Sequence, residues 1–196
     1  MPRPDVSDER KTQILAAAAE LFSRNGIHAS SMTEIALSAK LSKAAVYHYY
    51  DSKDAMVEAL VRQLFDSDQP DVRKLIESEE PALARLEKYL KGLVRLLEQH
   101  KALYPVLAEF KAVAARDQKV KNVLESCFMQ RINAFKTAIQ NGIDEGDIRD
   151  DVDAMEVAWA LGSIIEGSIT MRHATGRSLK KILLTNVKLF FDCIEK

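Results

Sequence analysis

Only three residues, Lys40 to Ser42, separate one short helical pattern that ends at Ala39 from another that begins at Lys43. On the near side, Ser31-Met32-Thr33-Glu34 reads as a capping box. The Ser31 hydroxyl accepts from an orphan amide, and Glu34 reaches back to the Ser31 amide. Ile35, Ala36 and Ala39 form the inward face of the helix this opens. On the far side Ser42 caps a helix from Lys43 to Tyr50, and Asp51-Ser52 breaks it. Two short helices joined by so tight a turn make a helix-turn-helix, whose second helix enters the major groove of DNA.

Helix signals fill the rest of the chain. Ser7 is expected to cap a first helix that buries Ile14, Ala18, Leu21 and Phe22 and stops at Asn25-Gly26. Ser52 caps a fourth, with Val57, Leu60, Val61, Leu64 and Phe65 as its stripe. Ser67 to Ser78 reads as a junction carrying a short helical piece, and Pro81 as the first turn of the next helix. From there Leu83, Leu86, Leu90, Leu93 and Leu97 keep a 3-4 rhythm, widened by Tyr89 and Leu96. A helix over 104–115 follows, then a long one over 118–145 that aligns Leu124, Phe128, Ile132, Phe135, Ile139 and Ile143. Gly146 and an acidic loop end it. Asp153-Ala154-Met155-Glu156, a second capping box, opens a helix to about Ala174, and Gly176 and Ser178 set off a last one. Seven glycines and five prolines in 196 residues are too few for the turns that strands need, so the fold is all-α. The expected division is a DNA-binding domain at 8–68, with the helix-turn-helix at 31–50, and a helical domain at 69–196.

With 28 basic and 29 acidic side chains the chain is nearly neutral, so any basic site has to be local. Arg24, Lys40, Lys43 and Lys53 against Glu34 and Asp51 supply such an excess. Cys127 and Cys193 form no Cys-x-x-Cys pair, which excludes a disulfide framework and a cysteine zinc site. No basic stretch leads into an apolar run at the start, and Val157–Met171 is too short to span a bilayer, so a cytoplasmic protein off the membrane is expected. Glu-x-x-His pairs, His-Glu-x-x-His, a Gly-rich phosphate loop and a Gly-x-Ser-x-Gly elbow are all missing. A non-enzymatic protein without cofactor or metal is therefore expected over a helical enzyme. A helical interaction protein that never meets DNA is the other alternative, and it leaves the tight turn and capping box without a purpose.

The pattern Ala18…Leu21-Phe22…Gly26, Ser31-Met32-Thr33-Glu34-Ile35-Ala36, Leu41-Ser42-Lys43, Val46-Tyr47, Tyr49-Tyr50 and Ser52-Lys53 resembles the tetracycline-repressor (TetR) family of transcriptional regulators. The resemblance implies a three-helix DNA-binding domain, a helical effector-binding and dimerisation domain, and a ligand-responsive regulator, most simply a repressor released from its operator by a small, largely apolar effector. Its partners would be a pseudo-palindromic double-stranded operator, the effector and a second copy of the chain. Candidate DNA contacts are Ser31, Thr33, Lys43, Ala44, Ala45, Tyr47, His48 and Lys53. Of these, Ser31, Tyr47 and Lys53 match backbone-contacting positions of the family, while Lys43, Ala44, Ala45 and His48 fall where the recognition helix faces bases. Lys53 opposes the dipole of its own helix. A phosphate beside that N-terminus would explain it; taken alone, a solvated surface lysine would serve as well. Lys40 stands where the family carries Gly, so it has to bear a left-handed conformation. Ala44 and Ala45 replace the common Gly and Thr, and Tyr50 replaces Phe, so its hydroxyl needs a partner.

Val157–Met171 and the final helix are more apolar than one buried face requires, which suggests a four-helix bundle with a second copy through Leu161, Ile165, Leu183, Val187 and Phe190. Ala160, Gly162 and Gly167 would let the helices approach closely; a thick monomer core is the alternative. Tyr89, Leu93, Tyr104, Phe110, Phe128, Phe135 and Trp159 are the candidate walls of an effector pocket, though aromatics like these also build plain cores.

Overall fold

A computed structural model describes residues 6–67 and 69–196. The elements in order are α1 (Val6–Asn25), α2 (Met32–Ser38), α3 (Lys43–Tyr49), α4 (Lys53–Asp66), α5 (Gln69–Glu77) and α6 (Ala82–Gln99). A 3-10 turn at Lys101–Leu103 leads into α7 (Tyr104–Ala114), α8 (Gln118–Glu145), α9 (Ala154–Thr175) and α10 (Leu179–Ile194). No strand occurs among the described residues, only an isolated antiparallel bridge between Ile148 and Glu195. The all-α class is as expected.

The chain divides into two compact units. The first holds residues up to Asp66 and also His100–Glu125; the second holds Ser67–Gln99 and Ser126–Lys196. A boundary in chain order near residue 68 therefore captures only the first crossing, because α7 and the start of α8 return to the first unit.

In the first unit α1 packs against α2, α4 and α7, and α2 against α3. Ile14, Ala18 and Phe22, spaced four apart on one face of α1, are fully buried with Ile35 of α2, Val46 of α3 and Met56 of α4. Leu21 is only half-buried. Each fully buried side chain of this size stabilises by about 1.5–3 kcal/mol, far more than helices of seven residues supply by themselves. Ser7 stands inside the first turn of α1, not at its cap, because the helix already begins at Val6.

In the second unit α6 packs on α5 and α10, and α10 on α9. Leu86, Leu90, Leu93, Phe135, Ile139, Leu161 and Leu183 make its core. Pro81 precedes α6 instead of occupying its first turn; its carbonyl accepts from the Arg85 amide at 3.0 Å. Proline has no side-chain acceptor to cap the helix, and Asp147 supplies one, its Oδ2 accepting from the Ala82 amide at 2.9 Å. Asp153 caps α9 by accepting from Met155 and Glu156 at 2.8 and 2.9 Å; the return bond of a full box is not made. Asp151 pairs with Arg149, whose guanidinium bonds hold its carboxyl below the usual carboxylate range. The acidic loop is thus a set of caps and an ion pair.

Candidate nucleic-acid interface

The helix-turn-helix is built by its caps. Ser31 Oγ accepts from the Glu34 amide at 3.2 Å, and Glu34 Oε2 accepts from the Ser31 amide at 2.8 Å and from its hydroxyl at 2.7 Å. These bonds hold the exposed Glu34 carboxyl below its ordinary pKa. At the far end of α2 the Lys40 amide donates to Leu37 O at 3.0 Å and the Leu41 amide to Ala36 O at 2.9 Å. This pair of crossed bonds requires a left-handed residue between them. Lys40 takes that conformation with φ 53°, the only positive φ outside glycine among the described residues. Gln13 of α1 donates to Ala39 O at 2.6 Å and ties the turn to the core. Ser42 then caps α3, accepting from the Ala45 amide at 3.1 Å.

Val46 is the one fully buried side chain of α3 and roots it in the unit. Lys43, Ala44, Tyr47 and His48 are exposed on the outward side, and Ala45 is half-buried. Tyr47 is 43% exposed, and the Lys43 ammonium stands 5.9 Å above its ring. His48 meets the edge of Tyr49 with centroids 5.1 Å apart. Tyr49 and Tyr50 are half-buried, and burial pushes the Tyr50 phenol up. Ser31 and Thr33 are also exposed, with the Ser31 hydroxyl already engaged in its cap.

Lys53 departs most from expectation. Its ammonium donates to Ile27 O at 2.7 Å, His28 O at 3.1 Å and Ser30 O at 2.6 Å. All three protons are satisfied inside the protein, so the side chain braces the α1–α2 loop and can favour a phosphate only through its charge.

The other candidates separate by location. Leu161, Ile165, Leu183 and Val187 are fully or almost fully buried within the chain itself, so they belong to the core of the second unit; only Phe190 is half-exposed. Gly162 serves that same core, since a Cβ there would lie 2.7 Å from Ile132 Cδ1 of α8. The apolar side chains that α9 and α10 leave open are Trp159, Met171 and Leu189. Trp159, 44% exposed, is therefore not an interior wall. Tyr104 and Phe110 are buried in the first unit, while Tyr89, Leu93 and Phe135 are buried in the second and Phe128 is half-buried there. Tyr89 packs edge-on against Phe135 at 5.5 Å. Tyr89 also lines a cleft of about 570 Å3 between α5 and α6, with Leu75, buried Arg85 and a rim of Lys74, Glu77, Lys88 and Arg95. Among the described residues no helix is long and apolar enough to cross a membrane.

One residue of the first unit carried no sequence signal. Glu109 on α7 accepts from the Ile27 amide at 3.1 Å, 82 positions away.

Comparison with known proteins agrees with this geometry. The family model for bacterial regulatory proteins of the tetR family matches residues 14–60, and that for the tetracyclin repressor-like C-terminal domain matches residues 82–180. The HTH-type transcriptional repressor KstR2 of Rhodococcus jostii is 26% identical over 168 residues, 81% of this chain and 78% of KstR2. A TetR transcription regulator from Haloarcula marismortui superposes with a TM-score of 0.85 at 25% identity, covering 96% of this chain and all of that one. SmeT of Stenotrophomonas maltophilia, solved as a complex with triclosan, superposes with a TM-score of 0.85 at 16% identity, over 96% of this chain and 92% of its own. The two domain matches together span the capped helix-turn-helix and the helices α6 to α9, and the chain belongs to the TetR family of bacterial transcriptional regulators.

Proposed function

We propose that the protein is a homodimeric repressor that lays α3 of each protomer in the major groove of a pseudo-palindromic operator and leaves it when a small effector binds the second unit. The observation that carries this is the outward side of α3: Lys43, Ala44, Tyr47 and His48 stand exposed together on a helix anchored by the buried Val46. Lys43 and Tyr47 can donate to phosphates or base edges, and the small Ala44 and Ala45 allow close approach to thymine methyls. KstR2 and SmeT are repressors by name, which supports repression, and SmeT holds triclosan, which supports a small-molecule effector.

Dimerisation is assigned to the open faces of α9 and α10, with Trp159, Met171, Leu189 and Phe190 as its apolar anchors. The effector site is assigned to the α5–α6 cleft, where a polar group would meet the charged rim and an apolar body would reach Leu75 and Tyr89.

The test is salt-dependent binding to DNA selected from random duplexes. Operator and random DNA should both bind more weakly as salt rises, with a log–log slope of about −0.9 per phosphate neutralised. Lys43→Ala should flatten that slope by roughly 2 per dimer, one contact in each half-site. A protein that selects no duplex, or binds without salt dependence, is not the regulator described.

A further inference from the structure

The loop from α1 to α2 is held from two sides at a single residue. The Ile27 amide donates to Glu109 Oε2 of α7 at 3.1 Å, and the Ile27 carbonyl accepts from Lys53 Nζ of α4 at 2.7 Å. A carboxylate and an ammonium from two different helices thus take the two polar groups of one residue. Gly26, immediately before it, makes room for this. Its φ is +79°, and a Cβ there would lie 3.1 Å from Glu109 Oε1. Ser30 closes the loop by donating to Gly26 O at 2.8 Å, and Ser31 follows as the cap of α2. The placement of α2, and of α3 after a turn of four residues, therefore depends on where Glu109 and Lys53 hold Ile27. A charge-assisted bond of this kind is about twice as strong as a neutral one.

We propose that Glu109 is a positioning residue for DNA binding: α7 sets the placement of the recognition helix by gripping the Ile27 amide through this carboxylate. The chain enters α7 directly from α6, through the 3-10 turn at Lys101–Leu103, so α7 is the stretch of the first unit that follows a helix of the second. A shift of α7 would thus be felt at Ile27 before it is felt anywhere on α3. This inference rests on the reading that α3 meets DNA.

The experiment compares Glu109→Gln, which keeps an acceptor without the charge, with Glu109→Leu, which keeps bulk without an acceptor. Glu109→Asp retracts the acceptor by one methylene and serves if the leucine variant does not fold. Each is measured for operator and for random-sequence duplex at a temperature where circular dichroism shows it folded. Glu109→Leu should lose operator affinity roughly tenfold, as expected for one lost hydrogen bond to a charged group, and random DNA affinity much less. Glu109→Gln should recover part of the loss, about threefold of the tenfold, since a neutral bond is about half as strong, and Glu109→Asp should also bind more weakly than the parent. A folded Glu109→Leu or Glu109→Asp protein that binds operator as well as the parent overturns the proposal. So does a loss that falls equally on operator and random DNA, because that marks general destabilisation. If the parent chain itself binds no duplex, the failure lies with the DNA-binding function and not with Glu109.

Discussion

Lys40 holds a left-handed backbone that a side chain with a Cβ resists by about 1–2 kcal/mol. Glycine removes that cost but gives up about 0.5–1 kcal/mol through its greater freedom in the unfolded chain. Lys40→Gly should therefore raise unfolding stability by about 0.5–1 kcal/mol, read as a higher urea midpoint at unchanged slope. An unchanged or lower midpoint would show that the turn is relaxed in some other way. Lys53→Ala should do the opposite and cost the DNA-free protein about 1–3 kcal/mol, since it abandons the carbonyls of Ile27, His28 and Ser30. A lysine that served phosphate alone would change thermal stability by less than about 0.5 kcal/mol. The left-handed conformation at Lys40 was legible through the family resemblance, because the family carries glycine at this position and this chain does not. The role of Lys53 was not. Its acceptors are backbone carbonyls 23 to 26 positions upstream, and carbonyls leave no mark in a sequence.

At the scale of the elements, α2 depends on ionisation through Glu34. The Ser31 bonds lower the pKa of Glu34 in the folded state relative to the unfolded chain. The stability they confer is therefore present above the unfolded pKa and is lost as pH falls through the lower, folded one. Acidification should free the Ser31 amide, seen as a lower protection factor relative to the intrinsic exchange rate and a chemical-shift change at Ser31 in the parent. Glu34→Gln keeps an uncharged acceptor, so its Ser31 amide should show no such acid transition. A Ser31 amide that titrates identically in both proteins would rule out this origin. The caps at Ser31, Ser42, Ser52 and Asp153 were all readable from one side chain and its position. The start of α6 was not, because its acceptor, Asp147, comes from 65 residues downstream. The same limit explains α9 and α10. Periodicity shows that a helix has two apolar faces but not which one its own chain covers, so Leu161, Ile165, Leu183 and Val187 read as interface and prove to be core.

For the whole molecule this distinction separates two kinds of failure. Trp159→Glu with Leu189→Glu places charges on surfaces that are open in the single chain and should give a folded monomer by light scattering, with helical circular dichroism retained. Ile165→Glu buries a charge that nothing pairs and should cost about 3–5 kcal/mol, read as a lower urea midpoint of the chain itself. A stable dimer from the double variant would place the interface elsewhere. The division of the chain has a consequence for inheritance as well. The unit that reads DNA is encoded in two separate stretches, one ending at Asp66 and one running from His100 to Glu125, with the α5–α6 segment between them. A crossover near Asp66 that grafts a foreign reading head onto this protein brings new loop residues against the resident Glu109. Hybrid regulators made by one junction should therefore read their operator poorly, while those that carry residues 100–125 along with the head should keep it.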